Sequence, residues 1–233
     1  MAPDRSPSGP RIWMASLRIM GLFREDEAGN PLVADWDFVA DHIEGIKFWD
    51  GQIDHKSVEE LRDIFAACRR RGLRIAYEKG RWPLPADLYA LEVAKQTDRY
   101  ESEERARQHV HGDRGRALAS YDPEEWARKA AEPDIARLKR IRAAGGLDLM
   151  TFVDLDGAVL KNVFPYAFAL SQWRLKGTPE EKRYVRGFRD PEAFFAAFRR
   201  FADRIVSAVP EAAHLRYRLL PNVHFWTYRE PVR

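Results

Sequence analysis

The chain has 233 residues, 45% of them hydrophobic and 12% aromatic, which excludes a mainly disordered protein and allows one α/β domain with a sizeable core. Lys and Arg total 39 against 36 Asp and Glu, and the two signs alternate, so the net charge of +3 gives no segregated basic face of the kind a nucleic-acid binder presents. One cysteine, Cys68, excludes an internal disulfide and any multi-cysteine zinc site, and no apolar run approaches a membrane span.

Residues 1 to 10 are polar and proline-rich and read as a flexible lead to a single domain over residues 11 to 233. With no secretory type of apolar region in that lead, a cytoplasmic protein is expected. Arg11 to Phe23 fits a strand running into a loop, although Trp13, Leu17 and Met20 also keep helical spacing. Trp36 to His42 suits a short amphipathic helix, and Ile43 to Trp49 a buried strand that ends on Asp50-Gly51.

Ser57 with Glu60 three residues on forms a capping box, which starts a helix whose apolar stripe is Val58, Leu61, Ile64, Phe65 and Cys68. Cys68 on that stripe reads as a core residue. Gly72 closes the helix, and Leu73 to Tyr77 follows as a strand ending on Glu78 and Lys79. Strand, helix, strand in this order predicts a right-handed parallel crossover.

RWPLP, residues 81 to 85, reads as a loop before a helix over Ala86 to Ala94. About residues 98 to 118 the chain is almost wholly charged or polar, which predicts a solvated helix and loop inserted into the domain. Asp122-Pro123 starts the next helix, and Ile135, Leu138 and Ile141 mark a further inward face ending at Gly145-Gly146. Leu147 to Val153 is then a strand with Asp154 and Asp156 just beyond it. Asn162 to Trp173 is aromatic-rich loop, and Thr178-Pro179 marks a helix start. Asp190-Pro191 opens a helix with Phe194, Phe195, Phe198, Phe201, Ile205 and Val206 on a wide apolar face, and His214 to Leu220 is a final strand leading into Asn222 to Tyr228.

Three strand ends thus carry carboxylates: Asp50, Glu78, and Asp154 with Asp156. In a parallel sheet such ends collect on one rim, where a pair of carboxylates can cleave a glycosidic bond, one as acid and one as nucleophile or base. Glu78 leads because alternation puts Arg74, Ala76 and Glu78 on the face opposite Leu73, Ile75 and Tyr77. The plain alternative is a carboxylate neutralised by a neighbouring cation. Asp154 and Asp156 can complete an acid pair, bind a divalent cation, or cap the Gly157 turn. Lys47, inside an otherwise apolar strand, can orient a substrate oxygen or pair with Asp50 or Glu78. Among aromatics near the strand ends, Trp49, Trp82, Trp173 and Trp226, only Trp82 and Trp226 sit in loop-like positions suited to stacking on a sugar ring. Asn222 and His224 offer polar contacts at the rim. The six histidines form no metal motif, and the absence of GxGxxG, Walker, GxSxG and HExxH patterns leaves no cofactor or metal expected.

The segments GIKFWD, RRRGLRIAYEKG, RAAGGLDLMTFVDLDG and PEAAHLRYRLLPNVHFWTY together resemble, in their style of repeat, a glycoside-hydrolase-like (β/α) TIM barrel. The resemblance implies an α/β, (β/α) barrel-like fold, here incomplete or truncated with a polar helical insertion, since a full eight-unit barrel takes about 250 residues. It implies a hydrolase with Glu78 and Asp154 or Asp156 as catalytic carboxylates; the residues themselves add Lys47, Asp50, Trp82, Asn222, His224 and Trp226 around a glycan or other small-molecule substrate, and the charge balance and lack of a long apolar run leave neither nucleic acid nor membrane expected as partner. The chain lacks the Asn-Glu pair at a strand end that such barrels carry. The alternatives are a non-catalytic carbohydrate-binding or scaffold protein and a metal-dependent sugar isomerase or aldolase.

Overall fold

The computed structural model describes residues 13–15, 41–86, 89–90, 93–94, 97, 102–109, 112–156, 158, 188 and 191–220. Its elements are β1 (Trp13–Ala15), β2 (Gly45–Trp49), α1 (Asp50–Asp54), α2 (Val58–Arg70), β3 (Arg74–Lys79), β4 (Trp82–Pro85), α3 (Glu103–His109), β5 (Gly112–Leu118), α4 (Pro123–Ala143), β6 (Met150–Asp156), α5 (Pro191–Ala208) and β7 (Arg216–Leu220). The fold is α/β. One sheet has the strand order β1-β2-β3-β6-β7, and β4 pairs with β5 in a second. β1 with β2 and β2 with β3 are parallel, as the strand, helix, strand reading requires. Among the described residues β1 and β7 stand at the ends of the larger sheet's order, which follows chain order without a reversal.

The chain divides into two compact units, one of Met1–Glu78, Arg137–Val153 and His214–Arg216, the other of Lys79–Ala136, Asp154–Ala213 and Tyr217–Arg233. In the first, the local signals of the sequence act as read. Ser57 Oγ accepts from the Glu60 N–H at 3.1 Å while the Glu60 carboxylate accepts from the Ser57 N–H at 2.8 Å, so two donors at the start of α2 are satisfied reciprocally. Gly72, at φ 69°, ends that helix in a conformation that costs other residues a clash of Cβ with backbone. Leu61, Ile64, Phe65 and Cys68 are buried along one face. Burial pushes the Cys68 thiol up to about 12, against the smaller opposing effect of the Arg71 charge. Gly146 admits Phe65: a Cβ there would lie 2.3 Å from its ring.

Several elements differ from the sequence expectation. Asp50 does not end a strand in an open turn; it is the first residue of α1. The two helical patterns between Pro123 and Ala143 form one 21-residue helix that carries Pro133 inside it. Leu147 to Leu149 is a 3-10 turn, and β6 begins at Met150 and runs through Asp154 and Asp156. RWPLP, expected as a loop, contains β4, and GDRGRAL, expected as solvated helix and loop, is β5, which pairs with it in parallel with an irregularity between Pro83 and Pro85. A two-stranded sheet tolerates prolines because few of its N–H groups are needed for the ladder. The charged helix expected in the same region is α3.

The second unit is built on aromatic rings. Trp82 and Trp126 stack in parallel with centroids 5.7 Å apart, and Phe188, Phe194 and Phe201 surround Trp126. Phe201 from α5 also meets Tyr217 at 5.8 Å. Phe195, placed on the apolar face of that helix by spacing, is 44% exposed; the buried stripe runs through Phe194, Ala197, Phe201 and Ile205, at steps of three and four. The lead at residues 1–10, most of Trp36 to His42, Asn162 to Trp173 and the start at Thr178 lie outside the described residues.

Candidate functional site

In parallel pairing, partnered residues share a face of the sheet. The register sets Gly45 beside Arg74, Lys47 beside Ala76 and Trp49 beside Glu78, so these six positions form one surface of β2 and β3. The other surface carries Ile46, Phe48, Ile75 and Tyr77, each at most 2% exposed. Ile46, Phe48, Ile75 and Tyr77 are therefore committed to packing, and Lys47, Arg74 and Glu78 lie opposite them, while Lys79 at the end of β3 stays on the apolar face.

On that charged surface Lys47 Nζ donates to Glu78 Oε2 at 2.6 Å, with the two side chains 15% and 10% exposed. An ammonium in place of an apolar side chain within β2 is thus explained by a carboxylate on the adjacent strand, a charge-assisted hydrogen bond in a site with little water. Lys47 pairs with Glu78, one of the two partners open to it in the sequence. Trp49, next to Glu78 by register, is partly exposed; its backbone N–H donates to Gln52 Oε1 at 2.9 Å, which fixes the step from β2 into α1. Its indole makes no hydrogen bond and no ring contact among the described residues.

Asp50 is engaged in structure. Its Oδ1 accepts from the Gly51 N–H at 2.7 Å, and its Oδ2 lies 3.9 Å from the Arg137 guanidinium. Arg137 is itself bidentate to Asp54, at 2.9 and 2.6 Å, and its guanidinium lies 5.0 Å from the Tyr77 ring centroid. This arrangement ties α1 to the C-terminal half of α4 and accounts for Asp50 without a ligand.

In the second unit, Asp154 and Asp156 are buried and two residues apart on one strand face. Asp154 Oδ1 lies 3.4 Å from Nε of Arg218, which is half exposed. The backbone carbonyl of Asp156 accepts from the Trp82 indole at 2.7 Å. Trp82 is 0% exposed, with one ring face stacked on Trp126 and the Lys79 ammonium 4.7 Å from its centroid. The expectation that Trp82 stacks on a sugar from a loop is therefore corrected: it is a core residue of β4, with its faces and its N–H used internally.

One buried ion pair and one buried hydroxyl were not singled out in the sequence. Lys79, 1% exposed, pairs with Asp134, 0% exposed, at 2.6 Å and donates to the Ala130 carbonyl at 3.2 Å. Its signal was parity, because Lys79 shares the face of Ile75 and Tyr77 and so must carry its charge into a core. Asp134 likewise falls four residues before Leu138 and seven before Ile141, on the apolar stripe of α4. The Tyr217 hydroxyl is buried without a hydrogen-bond partner among the described residues; burial first, and then the negative charge of Asp134, raise its ionisation well above the usual phenol range.

Asn222, His224 and Trp226 lie outside the described residues. Among the described residues no group of three His, Cys, Asp or Glu side chains is arranged to hold a metal ion, and no helix is long and apolar enough to cross a membrane. Comparison with protein-family models, with curated proteins and with solved structures finds no match.

Proposed function

We propose that this chain is a carbohydrate-active hydrolase of barrel-like architecture, in which Glu78 is the nucleophile or general base. The observation that carries this reading is the Lys47–Glu78 pair, at 2.6 Å on the polar surface of two adjacent parallel strands whose apolar side chains face the other way. Lys47 can only donate, so Glu78 accepts, which suits a carboxylate that attacks or takes a proton and not one that gives it up. Glycosidic cleavage uses a second carboxylate besides Glu78. Strand order that follows chain order supports the barrel-like reading, because a doubly wound sheet reverses direction at its switch point. A cytoplasmic setting belongs to the same proposal and rests on cysteine usage, a single buried thiol in the whole chain.

A second reading, binding without cleavage, is favoured by one specific observation: Glu78, Asp154 and Asp50 each have a basic side chain within 4 Å, at Lys47, Arg218 and Arg137. Carboxylates so matched can order a scaffold or hold sugar hydroxyls with no reaction. The two readings part in one experiment. Wild type, Glu78→Gln and Asp154→Asn are assayed for reducing-end release from cello-, xylo- and manno-oligosaccharides, with binding of the same compounds measured by calorimetry. Cleavage that falls in both variants supports the hydrolase; binding without cleavage in the wild type supports the scaffold.

A further inference from the structure

We propose that the second unit binds a linear, uncharged amphiphile, an alkyl chain ending in a hydroxyl, in the cavity between helical residues 86–97 and α3. This site is separate from the Lys47–Glu78 pair and does not depend on the function proposed for it.

The cavity has a volume of about 530 Å³, within the range of small-molecule sites, and its lining comes from residues 86–97 and from α3. Ala86, Ala90 and Ala94 recur at every fourth position and are exposed, so they form one row along the helix about 12 Å long. Tyr89 and Val93 lie beside that row, buried with Ala106 of α3. With no bulky side chain in the row, an apolar chain can lie along it against the Tyr89 and Val93 side chains.

A row of alanines alone would be no more than a place for packing. Tyr89 supplies the second observation. It is only 9% exposed, yet among the described residues its hydroxyl makes no hydrogen bond. Its phenol lies near enough to Arg107, on the other wall of the cavity, for the two to interact electrostatically. A buried hydroxyl usually has a partner, and this one can both donate to and accept from a group that enters.

The remaining polar groups set the charge class of the ligand. Thr97 Oγ1 donates to the Val93 carbonyl at 2.9 Å, which leaves it only lone pairs to offer. Glu103 accepts from Arg107 Nε at 3.1 Å, one turn along α3. A carboxylate head would set its charge against Glu103 and its lone pairs against Thr97, and an ammonium head would meet Arg107. A hydroxyl can accept from Tyr89 or donate to Tyr89, Thr97 or Glu103 without a like charge facing it.

The test uses the full chain labelled with ¹³C at alanine methyl groups. Ala90→Ser removes one methyl signal and so assigns Ala90. Wild-type protein is titrated with 1-octanol and, as the anion with the same chain, with octanoate. The Ala90 signal is expected to shift saturably with 1-octanol, and octanoate is expected to bind about tenfold more weakly or worse. Ala90→Leu, which puts a larger side chain at an exposed position in the middle of the row, is expected to weaken 1-octanol binding measured by calorimetry by about tenfold or more. Tyr89→Phe, which keeps the ring and loses the hydroxyl, is expected to weaken it by about fivefold with an unchanged melting temperature. The proposal is overturned if 1-octanol leaves the Ala90 signal in place, if octanoate binds as tightly as 1-octanol, or if either variant binds 1-octanol as tightly as wild type.

Discussion

Lys47 and Glu78 stand on adjacent parallel strands with Nζ 2.6 Å from Oε2, on the polar side of a sheet whose other side is closed by Ile46, Phe48, Ile75 and Tyr77. Removing either partner leaves a charge with little access to water. Lys47→Met and Glu78→Leu are each expected to cost about 2 kcal/mol, and the double variant less than the sum of the two, with a coupling of about 1 kcal/mol or more. Urea denaturation of the four proteins in the cycle checks this; additive single effects would mean the pair contributes nothing as a pair.

Lys79 and Asp134 form the more deeply buried pair, at 1% and 0% exposure. Asp134→Ala strands an ammonium among Trp82 and Phe201 and is expected to destabilise by about 3–5 kcal/mol, whereas Lys79→Met with Asp134→Leu recovers most of the loss. Denaturant midpoints of the single and double variants decide it. A single variant as stable as wild type contradicts the burial of the pair.

Trp82 and Trp49 should contribute unequally to stability. Trp82→Ala removes one of two fully buried tryptophans among the described residues and is expected to cost about 3–5 kcal/mol. Trp49→Ala removes a partly exposed ring and is expected to shift stability by less than about 1 kcal/mol. Thermal melts of both variants make the comparison. Equal losses would mean that Trp49 is packed as Trp82 is.

Cys68 gives a pH signature. Burial holds its thiol protonated up to about 12, while an unfolded thiol ionises near pH 8.5. Above that value the unfolded chain releases a proton that the folded chain keeps, so this group's contribution to stability falls as pH rises from about 8.5 towards 12. Stability measured from pH 8 to 10.5 should therefore decline more steeply in wild type than in Cys68→Ala. Native protein should also resist a thiol reagent at pH 8 and react once unfolded in urea; rapid native reaction would contradict the burial.

What the sequence made legible was chiefly local chemistry. The Ser57–Glu60 box, Gly72 and the α2 stripe each act within a few residues, so their reading needed no tertiary information. Alternation likewise predicted that Glu78 would leave the face of Ile75 and Tyr77. Failures came where a tertiary partner overrides a local signal. Pro83 and Pro85 disguise β4, and the Gly, Asp and Arg of β5 disguise its partner; neither strand has an amphipathic pattern of its own. Trp82 looked loop-like for the same reason, and its burial is set by Trp126, 44 residues away in sequence. Asp50 follows β2 directly, as read, but its place as the first residue of α1 beside Arg137 depends on a residue far along the chain. Trp49 is the converse case: it closes an apolar strand and so looks structural, and only the register beside Glu78 brings it to the polar face.

The proposed action of Glu78 on a glycan is tested most directly by the rate of oligosaccharide cleavage by wild type and Glu78→Gln at equal folded concentration, verified by circular dichroism and melting. Loss of an acting base or nucleophile is expected to lower kcat by about 100-fold or more while leaving oligosaccharide affinity within a few fold. An active wild type matched by an equally active Glu78→Gln would contradict the account.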